Sequence, residues 1–123
     1  MRVEDLVSKL DLTVKSISKA GSAREVAGGF VGDVLSHVMA NVRPNDVWVT
    51  VQTHENVVAV AMLVDAACVV VCQRELPPET CRRAQSEGVT LLWSERGAFE
   101  VAGRLYGLLN PSAKSSAGVS TPK

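Results

Sequence analysis

The chain has 123 residues, 46% of them hydrophobic and 21% charged, which is enough for one domain with a buried core and too little for two. Its thirteen basic and thirteen acidic residues balance, so no general surface for nucleic acid or for an anionic membrane is predicted. The longest apolar run, 57–64, is too short to cross a membrane and the N-terminus lacks a signal-peptide pattern, so a cytoplasmic protein is expected.

The chain begins with short elements. Apolar residues recur at helical spacing in residues 3–10 and alternate in residues 12–17, which predicts a helix followed by a half-exposed strand. A turn is predicted at 19–22. Three glycines within residues 26–32 predict a bulge, or a place where other backbone or a ligand approaches closely. This segment is therefore expected to form an edge or an irregular extension of a sheet.

Asp33 is predicted to N-cap a short helix that ends near Asn41. Three apolar residues of that helix are expected to face inward, namely Val34, Leu35 and Val38.

Strand and helix patterns alternate strictly in the second half of the chain. Strands are predicted at 47–51, 68–72 and 89–93, and helices at 57–66, 79–87 and 98–106. Helices between consecutive strands force right-handed parallel crossovers. Residues 1–109 are therefore predicted as one small layered α/β domain, with a largely parallel sheet and helices packed on its faces. Residues 110–123, which have nothing to bury, are predicted as a disordered tail.

A polar segment between two apolar elements, residues 52–56, is the predicted ligand site, through Gln52, Thr53, His54 and Asn56. Ligands of parallel α/β sheets bind beyond the carboxyl ends of strands, and this segment follows such an end. It also opens a helix, whose first N–H groups and positive dipole end suit a phosphate or a carboxylate. Thr53 is at the same time the predicted N-cap of that helix, with Asn56 completing a capping-box-like pair.

Gly28 and Gly29 are predicted to face this segment across a crevice that could hold an anion. A helix terminus contributes only about 0.3–1 kcal/mol for an exposed anion, so a useful site needs an arginine in bidentate contact. The candidates are Arg24, just before the glycines, and Arg74, which follows the strand at 68–72. The structural alternatives are close packing for the glycines and a surface carboxylate partner for Arg24.

No catalytic constellation is found. The chain lacks a phosphate-binding loop and a nucleophile elbow, and its two histidines lack metal-ligand spacing. Three cysteines without a C-x-x-C pair predict reduced thiols. No cofactor and no metal are predicted. The leading hypothesis is a non-enzymatic, ligand-responsive regulatory domain that acts through a partner protein or its own dimer.

Two alternatives to that hypothesis come from other functional classes. One is a small enzyme with His54 as general base and Glu55 or Asp33 nearby. The other is a purely structural dimerisation module.

A homodimer is predicted from the amount of apolar surface. Residues 57–63, 69–71 and 99–109 carry more of it than one small sheet is expected to cover. The expected excess lies at Leu105, Tyr106, Leu108 and Leu109. The alternative is a monomer in which these residues fold back on the sheet.

Several segments resemble the DRTGG domain family. The family's naming pattern is D-R-x-V-T-G-G, and residues 23–29 read A-R-E-V-A-G-G. The matching positions are Arg24, Val26, Gly28 and Gly29. Ala23 and Ala27 stand where the pattern has aspartate and threonine. The segments 32–36, 46–50, 52–56 and 98–102 are also similar to stand-alone members of the family. The likeness covers roughly residues 1–109.

The resemblance implies a bacterial or archaeal regulatory or sensory module. Related domains are accessory parts of phosphotransacetylases and of some inorganic pyrophosphatases, where catalysis belongs to other domains. The N-terminal domain of HPr kinase/phosphorylase is similar as well, in an α/β fold shared with an N-terminal domain of Mur ligases. The resemblance therefore implies this fold, and a small anionic ligand such as a nucleotide or a phosphorylated metabolite is the expected ligand class.

Overall fold

One five-stranded sheet organises residues 1–112, the part of the chain that this computed structural model describes. Its strands are β1 (Thr13–Ser16), β2 (Gly28–Val31), β3 (Asp46–Thr50), β4 (Cys68–Cys72) and β5 (Leu91–Ser94). Their order across the sheet is β1-β5-β4-β3-β2. The strands β2 to β5 run parallel, and β1 pairs antiparallel with β5. The predicted layered α/β fold with a largely parallel sheet is confirmed.

Helices cover both faces of the sheet. They are α1 (Val3–Lys9), α2 (Lys19–Ser22), α3 (Leu35–Asn41), α4 (Asn56–Val64), α5 (Pro78–Glu87) and α6 (Ala98–Leu109). One hydrophobic core lies between the sheet and the pair α1 and α6, and the other lies between the sheet and α3, α4 and α5. Successive side chains of each central strand enter alternate cores, because strand side chains alternate between the two faces.

The central strands β3 and β4 are buried at every position. This explains the continuous apolar run of β4, since a parallel strand covered on both faces has no solvent side. Fully burying one valine or leucine contributes about 1.5–3 kcal/mol. The apolar surface of residues 69–71, which was expected to be partly in excess, is 0% exposed without any second chain.

Several predicted helix boundaries are wrong. The N-cap of α3 is Val34, which makes no side-chain cap and is 65% exposed rather than inward. Asp33 lies outside the helix, because its carboxylate binds the end of β3 instead. The predicted turn at 19–22 is a single helical turn, capped by the hydroxyl of Ser18, which accepts from the Gly21 N–H. In contrast, Gly88 ends α5 in the left-handed conformation that the sequence predicts.

The glycine-rich segment forms β2, which lies at one edge of the sheet as expected. It contains no bulge, since it keeps continuous register with β3 from Gly28 to Val31.

At the C-terminal end of α6, the carbonyl of Tyr106 accepts hydrogen bonds from the backbone and side chain of Asn110. The predicted tail at 110–123 lies outside the described residues from 113 onward.

Candidate functional site

The residues predicted to form one site lie at opposite ends of the sheet. Gly28 and Gly29 pair with Asp46 and Val47, at the amino end of β3. Gln52 follows the carboxyl end of the same strand. Positions 47 and 52 are five residues apart, which is about 16 Å along an extended chain. The predicted crevice between residues 52–56 and the two glycines therefore does not form.

Arg24 belongs to the amino end, where its guanidinium makes three hydrogen bonds. Its Nε donates to Asn45 Oδ1 at 2.8 Å, and its Nη2 donates to the carbonyl oxygen and to Oδ1 of Asp65, at 2.7 and 2.8 Å. Asp65 ends α4 in the left-handed conformation, and a cation is favourable at a helix C-terminus. Arg24 thus ties the segment before β2 to the end of α4, which is the structural alternative stated above.

The two glycines of β2 are explained by close packing. A Cβ on Gly29 would lie 2.8 Å from Cδ2 of Leu105, and a Cβ on Gly28 would lie 2.9 Å from Oδ1 of Asp46. Leu105 is consequently 3% exposed, so it is not part of the excess apolar surface to which the sequence assigned it. The close approach predicted for this segment is made by a helix side chain and by a neighbouring strand.

At the carboxyl end, Asp33 joins the segments that follow β2 and β3. Its Oδ1 accepts from the Thr50 hydroxyl and from the Val51 N–H, both at 2.8 Å. The side-chain amide of Gln52 donates to the Asp33 carbonyl oxygen at 2.8 Å. The N-cap role predicted for Asp33 is wrong. The available signal was an aspartate two residues after the end of a strand, beside the end of a neighbouring parallel strand.

The N-terminus of α4 satisfies its own first N–H groups. The Asn56 N–H donates to His54 Nδ1 at 3.0 Å, and the Val57 and Val58 N–H groups donate to the carbonyl oxygens of His54 and Glu55, both at 2.9 Å. An anion would have to displace these bonds to use the helix terminus. The predicted binding mode through backbone N–H groups is therefore not favoured.

The capping role predicted for Thr53 and Asn56 is wrong. The N-cap position of α4 is Glu55, which makes no side-chain cap, and Asn56 is the first helical residue. The Thr53 carbonyl oxygen instead accepts from the hydroxyl of buried Thr80 at 2.7 Å. Thr53 is therefore held by α5 rather than by its own helix.

Three of the side chains left exposed at this end are hydrogen-bond donors. His54 uses Nδ1 as an acceptor, so in the neutral imidazole Nε2 carries the proton and points a donor outward. Arg74 follows β4 and makes no ion pair within residues 1–112. Its carbonyl oxygen accepts from Trp93 Nε1 at 3.0 Å, which fixes the backbone there. The third donor is the side-chain amide of exposed Asn56. The imidazole of His54, the guanidinium of Arg74 and this carboxamide thus lie at the same end of the sheet.

Two acidic groups near these donors, Glu55 and Asp33, already have partners, whereas Glu75, next to Arg74, makes no ion pair within residues 1–112. The carboxylate of Glu55 lies 3.7 Å from the guanidinium of Arg83 on α5, and the carboxylate of Asp33 accepts the two hydrogen bonds described above. His54 has no carboxylate partner among the described residues. A His54 dyad with Glu55 or Asp33, as the enzyme alternative requires, is not present in that part of the chain.

Three grooves of about 360–370 Å³ lie elsewhere on the described surface. One is lined by Arg24, Asp65 and Thr90 at the amino end. Another lies between β2 and α6, and the third lies between β1 and the end of α5. None of these three includes a residue of the segment 52–56.

The two cysteines of β4 supply no nucleophile to either end of the sheet. Burial raises the pKa of the Cys68 thiol to about 12, a rise that the positive charge of Arg24 opposes. Burial raises the pKa of Cys72 to about 11, and the negative charge of Asp33 adds to that rise. Both thiols are therefore protonated at neutral pH.

Within residues 1–112 no group of His, Cys, Asp and Glu is arranged to hold a metal ion. No helix of that region is long and apolar enough to span a membrane.

Neither a protein-family model nor a curated protein matches the chain. Its fold is similar to the crystal structure of the CBS and DRTGG domains of the regulatory region of Clostridium perfringens pyrophosphatase, in complex with the activator diadenosine tetraphosphate. The TM-score is 0.68 and the sequence identity 11%, over 85% of this chain and 45% of that one. At this identity the likeness shows the fold, and the chain spans less than half of that regulatory structure.

Proposed function

We propose that this chain is a non-enzymatic regulatory domain that binds a small anionic ligand and signals through its own dimer or a partner protein. Nucleotides are the first ligand class to test, because the similar fold occurs in a regulatory region that was solved with a nucleotide activator. The observation that carries the proposal is the set of exposed donors at the carboxyl end of the sheet: His54, Asn56 and Arg74.

This set fits an acceptor-rich ligand. Phosphate oxygens accept hydrogen bonds only, and the imidazole Nε2–H, the carboxamide and the guanidinium all donate. The guanidinium gives the charge and the bidentate geometry that a helix terminus alone lacks. Gln52 takes part indirectly, because its amide holds the Asp33 segment in place. The glycines and Arg24 take no part, since they lie at the opposite end.

The contacts of His54 support a binding role over a general-base role. A general base needs a free acceptor atom, and the acceptor Nδ1 is occupied by the Asn56 N–H at 3.0 Å. The outward Nε2 carries a proton in that state. Glu55 and Asp33 also have other partners, so neither of these two carboxylates is paired with the imidazole.

The proposal is tested by calorimetric titration of the purified chain with ATP, with diadenosine tetraphosphate and with inorganic phosphate. Arg74→Ala is expected to weaken binding of the best of these about 10- to 100-fold, because hydrogen bonds to a charged group contribute about 1.5–3 kcal/mol. Arg82→Ala is the matched control, since Arg82 is also exposed and makes no ion pair within the described residues. It should bind as the wild type does.

Three results would contradict the proposal. Equal affinity of the wild type and Arg74→Ala for the best probe would show that the ligand does not bind at the carboxyl end through Arg74. Turnover of a nucleotide, lost in His54→Ala, would favour the enzyme alternative. No binding by any probe and no rise in melting temperature would favour a structural dimerisation module.

A further inference from the structure

The edge strand β2 and the adjacent face of α6 form a surface without charge. The groove between them has a volume of about 370 Å³ and ten lining residues, none of them charged. At the chain's overall 21% of charged residues, about two would be expected. The exposed apolar side chains of Val31 and Tyr106 border this groove, at 48% and 62% exposure.

The β2 edge also lacks the devices that keep edge strands apart. Its sequence, G-G-F-V, has no proline and no charge, and its register with β3 is regular. The opposite edge strand, β1, carries Lys15 and a register shift between Val14 and Ser16, and the amide of Gln85 donates to the Lys15 carbonyl oxygen at 3.1 Å. Lysine, irregular register and covering side chains all discourage a further strand from pairing. Within the described residues β2 has none of these three features, and residues 1–3 pair only with the segment 24–26 that precedes it.

We infer that β2 pairs with β2 of a second copy of this chain, antiparallel about a two-fold axis, so that the sheet continues across a dimer. A two-fold contact brings each residue close to its own copy. Any charge on such a face would meet the same charge, so an uncharged face is the one suited to self-pairing. This inference deepens the proposed function, because it assigns a surface to the dimer through which the domain would signal.

The geometry of β2 suits this arrangement. In an antiparallel pair, facing residues project to the same side of the sheet. About a two-fold axis perpendicular to the sheet, one residue must therefore face its own copy. Gly29 fits that position, because it is exposed and lies at the middle of the uncharged segment 27–31, so that each Val31 would face Ala27 of the other copy.

The helix α6 would meet its copy above this point. Phe99, Ala102 and Tyr106 follow at helical spacing on one side of α6, and Phe99 is 95% exposed. A four-residue strand and one helix face cover less than the roughly 800 Å² per partner of a standard interface. The dimer is therefore expected to dissociate in the micromolar range.

Sedimentation or light scattering of the full chain from about 1 to 500 μM tests the inference. The mass should rise from 13.1 kDa toward twice that value. Val31→Lys should weaken the dimer at least tenfold, since it places a lysine on the pairing edge, where it would face Ala27 of the second copy and lose its hydration. Val14→Lys is the matched control, because Val14 is a similarly exposed valine on the β1 edge, at 43%, and its mass profile should match the wild type.

Other variants separate this inference from its competitors. Tyr106→Lys tests the same face from α6 if Val31→Lys fails to fold, and it should also dissociate the dimer. A wild type that stays at 13.1 kDa would overturn the inference, and so would equal dimerisation by all variants. If removal of residues 113–123 turns such a monomer into a dimer, that segment occupies the face and the inference also fails.

The outcome is independent of the ligand test. Tyr106→Lys should still bind nucleotide at the carboxyl end, because α6 begins after the carboxyl end of β5 and Tyr106 lies toward the far end of that helix. A monomeric wild type that binds ATP would contradict the dimer surface alone. A dimer that Val31→Lys dissociates, but that binds none of the probes, would contradict the ligand proposal alone.

Discussion

Two arginines at opposite ends of the same sheet illustrate how their surroundings decide their roles. Arg24, at the amino end, makes three hydrogen bonds to Asn45 and Asp65 and so joins the segment before β2 to the end of α4. Arg74, at the carboxyl end, makes no ion pair within residues 1–112 and is exposed. The arginine of the amino end is therefore held by contacts within the fold, whereas the carboxyl end keeps donors available. Matched substitutions at the two ends can break or sharpen this contrast.

The largest effect on stability is expected at the amino end. Arg24→Ala should lower the free energy of unfolding by about 3 kcal/mol, since it leaves Asn45 and Asp65 without their charge-assisted partner. Urea denaturation measures this loss. Arg74→Ala should change stability by less than about 0.5 kcal/mol, as surface substitutions usually do. Equal losses for the two variants would remove the contrast between the ends.

The two buried thiols, one at each end of β4, are expected to make the stability of the domain depend on pH. Both native pKa values are raised, so above about pH 9 the unfolded chain releases protons that the native state retains, and stability falls as pH rises. From pH 8 to 10 the loss should be about 2–3 kcal/mol for the pair. Urea denaturation with reductant at both pH values measures it.

The variant Cys68→Ala/Cys72→Ala is the control for this pH dependence. It should be less stable at every pH because core atoms are deleted. Its free energy of unfolding should no longer fall between pH 8 and 10 by the amount that the two thiols contribute. Asp33→Asn should lower the pKa of Cys72, whereas Arg24→Gln should raise that of Cys68, because the two charges act in opposite directions. A wild-type slope equal to that of the double variant would contradict the burial of both thiols.

A smaller loss is expected from a single methyl group at the amino end. Gly29→Ala should destabilise the domain by about 1–2 kcal/mol, since the new Cβ would press on Leu105. Gly103→Ala on α6 is the control, because a Cβ there meets no atom within 4 Å. That substitution should stabilise by about 0.5–1 kcal/mol through helix propensity. Thermal melts of both variants at low protein concentration decide whether packing explains the glycine.

The smallest effect is expected at Thr53. An N-cap threonine typically contributes about 1 kcal/mol, but the Thr53 side chain does not cap α4. Thr53→Ala should therefore stay within about 0.5 kcal/mol of the wild type, whereas Thr80→Val should cost more, since its hydroxyl holds the Thr53 carbonyl. Chemical denaturation of this pair tests the corrected capping. A loss of 1 kcal/mol or more in Thr53→Ala would restore the sequence prediction.

The sheet could be predicted from the sequence because its signals are local. The run from Cys68 to Cys72 is apolar throughout and strand-sized, and Gly88 suits only the end of a helix. The N-caps could not be predicted, because Asp33 and Thr53 are held by distant partners, Thr50 and Thr80, that no local pattern reveals. At these two positions tertiary hydrogen bonds outweigh the local tendency of aspartate and threonine to cap a helix.

The split of the candidate site has a similar origin. Gly28 and Gly29 begin their strand, whereas residues 52–56 follow theirs, and in a parallel sheet these positions lie at opposite ends. The order of these residues along the chain already indicated the split. The distance between the two groups could be judged only from the register that pairs Gly28 with Asp46. Arg74 and the 52–56 segment could be placed together, because both follow parallel strands.

The most direct test of the ligand site is an NMR titration of the isotopically labelled full chain with ATP. We expect the largest amide shifts in residues 52–56 and at Arg74, with the Arg74 side-chain Nε–H signal shifting as well, while Arg24, Gly28 and Gly29 stay unchanged. Shifts centred on Gly28, Gly29 or Arg24, or no shifts at millimolar ATP, would contradict a nucleotide site at the carboxyl end of the sheet.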